Sequence, residues 1–189
     1  MICFLLLIGL NNINVRLLGV SVLTSFDNEE LEQLGFKEQL EKQVKEPPEA
    51  IYVAVGGGGL IAGTSTYLKQ KYQYIESYCV EPSGFDDTKK SLNSGKILSN
   101  EKGHQSICDA IVTPQPGNVT FPINLKNLEN GLVVTDEEVK NAIKYLSEHL
   151  KIIVEPGGAV AATAVLTEKI NVKNKTVVVM ISGGNIDIE

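Results

Sequence analysis

Histidine and cysteine are scarce in this chain, and the scarcity excludes several classes of protein. Cys3, Cys79 and Cys108 are odd in number, widely spaced and set among apolar residues, so neither a disulfide framework nor a zinc knuckle is expected. A reduced, cytoplasmic setting is the corresponding expectation. His104 lies in the polar stretch Lys102-Gly103-His104-Gln105, without metal-ligand spacing to another His or Cys. His149 lies near the end of a helical pattern, where a partial positive charge complements the helix dipole. Neither is assigned a catalytic role. Positive charge is also short: 17 Lys and Arg against 23 Asp and Glu leave a net charge of −6. Binding a nucleic-acid backbone needs a basic face, so no nucleic-acid partner is expected.

A membrane-spanning run is missing too. The apolar stretch Ile2 to Leu10 has no Lys or Arg before it and no clear small-residue cleavage site after it, unlike a signal peptide. It is also too short to cross a bilayer. Residues 1–24 are therefore read as an N-terminal apolar segment of unassigned role, either a buried segment or the false start of a truncated chain, beside a domain over 25–189. No membrane partner is expected, and no repeat period or low-complexity tract appears.

What the chain does contain is an alternation of apolar strands and helical patterns, in 189 residues of which 43% are hydrophobic, enough for one domain with a core. Residues 27–46 are polar and charge-mixed, with Leu31, Leu34, Leu40 and Val44 near helical spacing; they read as one or two surface helices ended by Pro47-Pro48. A strand at 50–55, a helix from about 60 to 71 and a strand near 74–80 make a β-α-β unit. Val53-Ala54-Val55 and Val177 to Ile181 lack strict alternation, the mark of parallel strands buried on both faces. Thr135 and Glu138 have the spacing of a capping box before an amphipathic helix to about Leu150. Glu155-Pro156-Gly157-Gly158 opens an alanine-rich helix from Ala159 to about Glu168, able to pack close to a sheet or cofactor. Pro116 to Pro122, with Asn118, Thr120 and Phe121, reads as a loop held by its prolines and glycine. The fold expected is α/β in three layers, a mostly parallel sheet with helices on both faces.

The densest information lies in Ile51 to Gly63, where a buried strand runs into Gly56-Gly57-Gly58-Gly59 and then into a helix. Residues without Cβ allow a sharp turn and let several N–H groups converge on one anion, with the helix dipole adding to the attraction. A phosphate-bearing ligand is the inference. The loop alone does not name it. Gly57, Gly59 and Ala62 satisfy G-x-G-x-x-A, with Glu81 placed to hold a ribose, as in a nicotinamide-dependent oxidoreductase. A noncatalytic module binding a phosphate ligand is the other alternative.

Five motifs in order point elsewhere: Gly56–Leu60, Glu81-Pro82-Ser83-Gly84-Phe85-Asp86-Asp87, Ser106-Ile107-Cys108-Asp109, Glu155-Pro156-Gly157-Gly158-Ala159 and Ser182-Gly183-Gly184-Asn185. With them the chain, from about Ser25 onward, resembles the serine/threonine dehydratase and serine racemase group of fold type II enzymes dependent on pyridoxal 5′-phosphate (PLP). The resemblance implies that Gly56, Gly57, Gly58, Gly59 and Leu60 bind the PLP phosphate through backbone amides. It implies that Ser182 hydrogen-bonds the pyridine nitrogen, with Glu155 a secondary candidate near the cofactor or simply a strand end. A hydroxyl there leaves the ring formally neutral, which suits loss of a β-leaving group. The implied reaction is conversion of L-serine or L-threonine to a 2-oxo acid and ammonia, by a homodimer acting on a small amino acid.

Glu81, Phe85 through its carbonyl, and Asp87 resemble the divalent-cation site of these relatives, and two carboxylates with a carbonyl suit Mg²⁺, Mn²⁺ or Ca²⁺. The competing reading has Asp86 or Asp87 capping a short helix at Thr88–Leu92. One departure from the family is an absence. Nothing before Gly56 resembles the Ser-Phe-Lys-X-Arg-Gly-Ala segment whose lysine carries PLP as a Schiff base, so no catalytic residue is assigned. Phe36-Lys37-Glu38 is the nearest approach, in a charge-rich stretch that reads as solvated surface. A Ser-Ser-Gly-Asn-His-like loop for the substrate carboxylate is absent as well. The expectation is an N-terminally truncated piece of such an enzyme, with little or no turnover by itself.

Overall fold

The computed structural model describes residues 47–185 and, ahead of them, the backbone of two strands at 2–9 and 14–22. The helices expected over 27–46 lie outside the described residues. Six strands form one sheet: β1 Ile2–Gly9, β2 Asn14–Val22, β3 Ala50–Ala54, β4 Glu76–Pro82, β5 Asn130–Val134 and β6 Val177–Ile181. Their order is β2-β1-β6-β3-β4-β5. The pairs β6–β3, β3–β4 and β4–β5 are parallel. The apolar N-terminal run is an antiparallel strand, β1 lying against β6 with Phe4 opposite Ile181 and Ile8 opposite Val177. β2 pairs antiparallel with β1 at the edge.

Every residue of β3 and of β6 is buried, which is why neither strand shows polar alternation: both faces are covered. Ala50, Tyr52 and Ala54 point into one core with Val177, Val179 and Ile181. Ile51 and Val53 point into the other, with Val178 and Met180. Helix α1 (Gly59–Lys71) covers the second face through Ile61 and Leu68, both fully buried. Each such side chain contributes about 2 kcal/mol of hydrophobic stabilisation. Helices α4 (Asp136–Leu150) and α5 (Pro156–Leu166) cover the first. Three layers result, a mostly parallel α/β sheet with helices on both sides.

The two covering helices are built differently. α4 is amphipathic, burying Val139, Ala142 and Leu146. Its capping box is formed: the Glu138 N–H donates to Thr135 Oγ1 at 3.2 Å, and the Thr135 N–H donates to the Glu138 carboxylate at 2.8 Å. α5 is buried all round from Gly157 to Val165, its small side chains allowing close approach to the sheet. It begins at Pro156, three residues before the expected start at Ala159, because proline fits the first helical turn, where no intrahelical N–H bond is needed. β4 likewise begins at Glu76 rather than 74 and runs on through Glu81 to Pro82.

The stretch read as a loop is in part a helix. α3 starts at Thr120 and runs to Asn127, with Pro122 in its first turn, where proline is tolerated. Between β4 and α3 lie α2 (Asp87–Ser94) and a short 3-10 turn at Asp109–Ile111. Among the described residues no helix is long and apolar enough to cross a membrane.

Candidate functional site

The chain steps from β3 to β4 to β5 in one direction and then returns to place β6 on the other side of β3. That reversal is a topological switch point, and the crevice beyond the carboxyl ends of β3 and β6 is where open α/β sheets hold ligands. β3 leads there into Gly56–Gly59, and β6 into Ser182-Gly183-Gly184-Asn185. The parallel register pairs Tyr52 with Val179. Continued by three residues, that register would bring Ser182 level with Val55, immediately before the glycine loop. Val55 extends the ladder on the other side, its N–H donating to the Val80 carbonyl at 3.0 Å.

One residue of the glycine loop has a conformation that only glycine accepts easily. Gly58 has φ +86° and is the N-cap of α1, with no side chain capping the helix and no acidic residue in the first turn. The helix therefore opens with N–H groups and a partial positive charge that no carboxylate of its own answers. A Cβ on Gly57 or Gly59 would meet no atom within 4 Å, so open space lies beside them. Gly56 is confined instead, a Cβ there falling 3.2 Å from the Ile111 backbone. Leu60 is partly buried and packs beside the Ile51 and Val53 core.

The back of the loop is held by α3, which the sequence reading did not foresee. Gly57 O accepts from the Gly117 N–H at 3.1 Å and from Thr120 Oγ1 at 2.6 Å. Gly58 O accepts from the Ala62 N–H at 3.1 Å and from Asn124 Nδ2 at 3.2 Å. One turn further on, Asn127 Nδ2 donates to Ser65 Oγ and Thr66 Oγ1 of α1. The available signal was the spacing of Thr120, Asn124 and Asn127, polar residues four and three apart that share one helix face; reading 116–122 as a loop separated Thr120 from the other two.

Glu155 is the N-cap residue of α5, and its side chain turns toward the other glycine segment rather than capping its own helix. Its Oε2 accepts from the Asn185 N–H at 3.1 Å, and its backbone N–H donates to the Gly183 carbonyl at 3.2 Å. Gly183 has no room for a Cβ against the Glu155 carboxylate. Ser182, partly buried, thus begins a segment clasped by Glu155.

Glu81, Phe85 and Asp87 form a second locus at the end of β4. Glu81 is 0% exposed, and its two oxygens accept from the N–H groups of Thr88 and Lys89, both at 2.8 Å. It is therefore Glu81, from the strand, that answers the N-terminus of α2. Asp86 stands at the N-cap position of that helix, as one reading expected, but its side chain makes no capping bond. Asp86 pairs instead with Lys90 at 2.8 Å, and Asp87 accepts from Asn100. Burial pushes Glu81 up to about 8, against the pull of the Lys89 and Thr88 N–H groups. Burial likewise pushes Asp87 up to about 6, with Asn100 opposing. Asp87 Oδ2 is buried without a partner. Among the described residues no three His, Cys, Asp or Glu side chains cluster as a metal site; Asp87 lies near enough to Glu81 for its charge to add to the upward shift, and the expected Phe85 donor is a backbone carbonyl. Glu81 is 0% exposed, so a ribose has no surface there on which to lie, and the ribose role considered for it is excluded.

His104 stands against Gly84 and lies edge-on to Phe85, while His149 stacks on Tyr145, its Nδ1 3.0 Å from the Tyr145 carbonyl. Cys79 and Cys108 are buried and free, and burial raises the thiol pKa of each.

A doubly wound α/β domain with glycine turns on both sides of its switch point is one built to hold a ligand at that edge. The chain belongs to the family of pyridoxal-phosphate dependent enzymes, whose sequence pattern matches residues 29–183. It is 40% identical over 143 residues to serine racemase of Dictyostelium discoideum, covering 74% of this chain and 44% of the relative. It is 37% identical over 140 residues to L-threonine ammonia-lyase of Thermotoga maritima, covering 74% of this chain and 34% of the relative. Among solved structures, a threonine deaminase from T.th. superposes with a TM-score of 0.76 at 34% identity, over 83% of this chain and 55% of the other. The Dictyostelium serine racemase structure gives 0.74 at 37% identity, over 83% and 50%. The chain thus spans less than half the length of the curated relatives named here.

Proposed function

We propose that this chain is the cofactor-holding part of a PLP-dependent ammonia-lyase that converts L-threonine or L-serine to a 2-oxo acid and ammonia. The observation that carries the reading is the parallel pairing of β3 with β6, whose continuations, Gly56–Gly59 and Ser182, both leave the carboxyl edge of the sheet. In this reading the amides of Gly56–Leu60 receive the phosphate, with the positive end of α1 behind them. Ser182 offers its hydroxyl to the ring nitrogen, and Glu155 holds the turn that carries Ser182. The open space beside Gly57 and Gly59 fits a phosphate drawn close to the backbone. Bound there, PLP supplies the electron sink that makes loss of a β-hydroxyl possible.

The proposal extends to a divalent cation held by Glu81, Asp87 and the Phe85 carbonyl. Two buried carboxyls, one with an unpartnered oxygen, are the donor set that a hard cation satisfies. Its role is to stabilise the end of β4 and the start of α2. A homodimer and a cytoplasmic setting complete the reading.

No segment before Gly56 resembles the lysine-bearing motif of the family, so we expect these 189 residues alone to bind PLP without turnover. Titration with PLP, borohydride reduction and peptide mapping test this, alongside an assay for 2-oxo acid release from threonine and serine. Saturable binding without a specific pyridoxyl-lysine supports the reading. A single labelled lysine with 2-oxo acid release overturns the inactivity of the isolated chain. Failure to bind PLP at all overturns the assignment of the site.

Similarity to serine racemase favours a second reaction on the same site, inversion at the α-carbon of serine. It is distinguished by following D-serine formation in an enzyme that contains these residues.

A further inference from the structure

We propose that Asn124 and Thr120 of α3 are positioning residues for the cofactor phosphate, setting the direction of two amide groups of the glycine loop without touching the ligand. The inference rests on the reading of Gly56–Leu60 as the phosphate cradle.

In a trans peptide unit the C=O and the following N–H point in opposite directions, and the unit is rigid; no described peptide bond is cis. Gly57 O is turned toward Gly117 N–H and Thr120 Oγ1, so the Gly58 N–H is turned away from α3. Gly58 O is turned toward Asn124 Nδ2 and the Ala62 N–H, so the Gly59 N–H is also turned away from Asn124. Glycine peptides rotate more freely than any others. Without α3, these two planes would be held by fewer bonds, and each amide would lose orientational preference for the anion.

The identity of the side chains matters. A carbonyl only accepts, so Asn124 must present its amide nitrogen to Gly58. Asn124 is 0% exposed, and its Oδ1 is buried without a partner. A buried polar acceptor left unpaired costs stability, and leucine would fill a similar space without that cost. The asparagine is explained by what its nitrogen holds. Packing is tight as well: a Cβ on Gly58 would fall 2.6 Å from Asn124 Nδ2 and 3.1 Å from Thr120 Oγ1. The loop therefore cannot rotate toward α3, and it lies in a groove that the two side chains define.

The test compares PLP with pyridoxal, which has the same ring without the phosphate, on the full 189-residue chain. Loss of a single hydrogen bond corresponds to about a fivefold to tenfold change. Asn124→Leu and Thr120→Val are each expected to weaken PLP by about that factor, leave pyridoxal affinity unchanged, and move the phosphorus resonance of bound PLP. A loss shared equally between PLP and pyridoxal, or no loss, overturns the inference. Thr120→Val, which exchanges a hydroxyl for a methyl on a partly exposed residue, keeps the test valid if Asn124→Leu does not fold. If the unmodified chain holds PLP no more tightly than pyridoxal, the phosphate cradle itself is refuted and the inference falls with it. If the unmodified chain prefers PLP and the variants retain that preference, only the role of α3 is refuted.

Discussion

Gly158 approaches Gly183 so closely that a Cβ on it would lie 2.6 Å from the Gly183 carbonyl oxygen and 2.7 Å from its nitrogen. The contact joins the first turn of α5 to the turn after β6, and Glu155, three residues before Gly158, holds the same turn through Gly183 and Asn185. Gly158→Ala has nowhere to place its methyl, because the obstructing atoms are backbone. We expect a loss of about 1–3 kcal/mol in urea denaturation, with weakened PLP binding as the Ser182 turn shifts. Full stability in the alanine variant would show that the two turns are not locked together.

Ser182→Ala is expected to weaken PLP about fivefold, the usual range for one hydrogen bond. Pyridoxal should weaken by the same factor, since the ring nitrogen is common to both ligands. The contrast with the α3 variants, which should affect the phosphate-bearing ligand alone, is read by parallel titrations. A selective effect on PLP would move Ser182 from the ring to the phosphate.

Divalent cation should stabilise the chain through Glu81 and Asp87. At a concentration about a hundred times the dissociation constant, binding to the folded state alone adds about 2.7 kcal/mol. For a chain of this size that is about 5–10 °C in melting temperature. Mg²⁺, Mn²⁺ and Ca²⁺ are to be compared with EDTA by thermal denaturation, and Asp87→Asn should abolish the rise. An equal rise in that variant would place the ion elsewhere.

Glu138 links the α4 capping box to Lys169, whose Nζ lies 2.6 Å from its carboxylate. Slight burial works to raise its pKa, but the bonds from Lys169 and Thr135 hold it below the usual carboxylate value of 4.5. The folded state therefore binds fewer protons than the unfolded state in the acid range. The contribution is present above about pH 4.5 and is lost as pH falls through the lowered pKa. Glu138→Gln should destabilise the chain at pH 7 by about 1 kcal/mol, as expected for a partly exposed ion pair and cap. The difference should vanish well below about pH 4, as measured by urea denaturation across pH. A constant difference at all pH values would assign the effect to packing.

Where sequence alone sufficed, one local rule governed the outcome. The buried strands at 50–54 and 177–181 follow from uninterrupted apolar runs, the start of α4 from Thr135 and Glu138, and the glycine loop from four residues without Cβ. Family membership was legible in five ordered motifs for the same reason, since each is a short backbone or cofactor-facing feature written in consecutive residues.

Tertiary structure decided what depends on partners distant in the chain. Asp86 or Asp87 looked like the cap of α2 by proximity, yet Glu81 reaches its N-terminal N–H groups from the end of β4, because the strand ends beneath the helix. Thr120 looked like part of a loop over 116–122, with its prolines and glycine, and Asn124, just beyond that stretch, received no assignment. Only the packing of α3 on α1 shows them gripping Gly57 and Gly58. Composition and spacing thus determined the buried strands at 50–54 and 177–181, the start of α4 and the glycine loop. The sheet order, which inserts β6 beside β3, determined which turns share a site, because hydrogen-bond register between distant strands is not encoded in either strand alone.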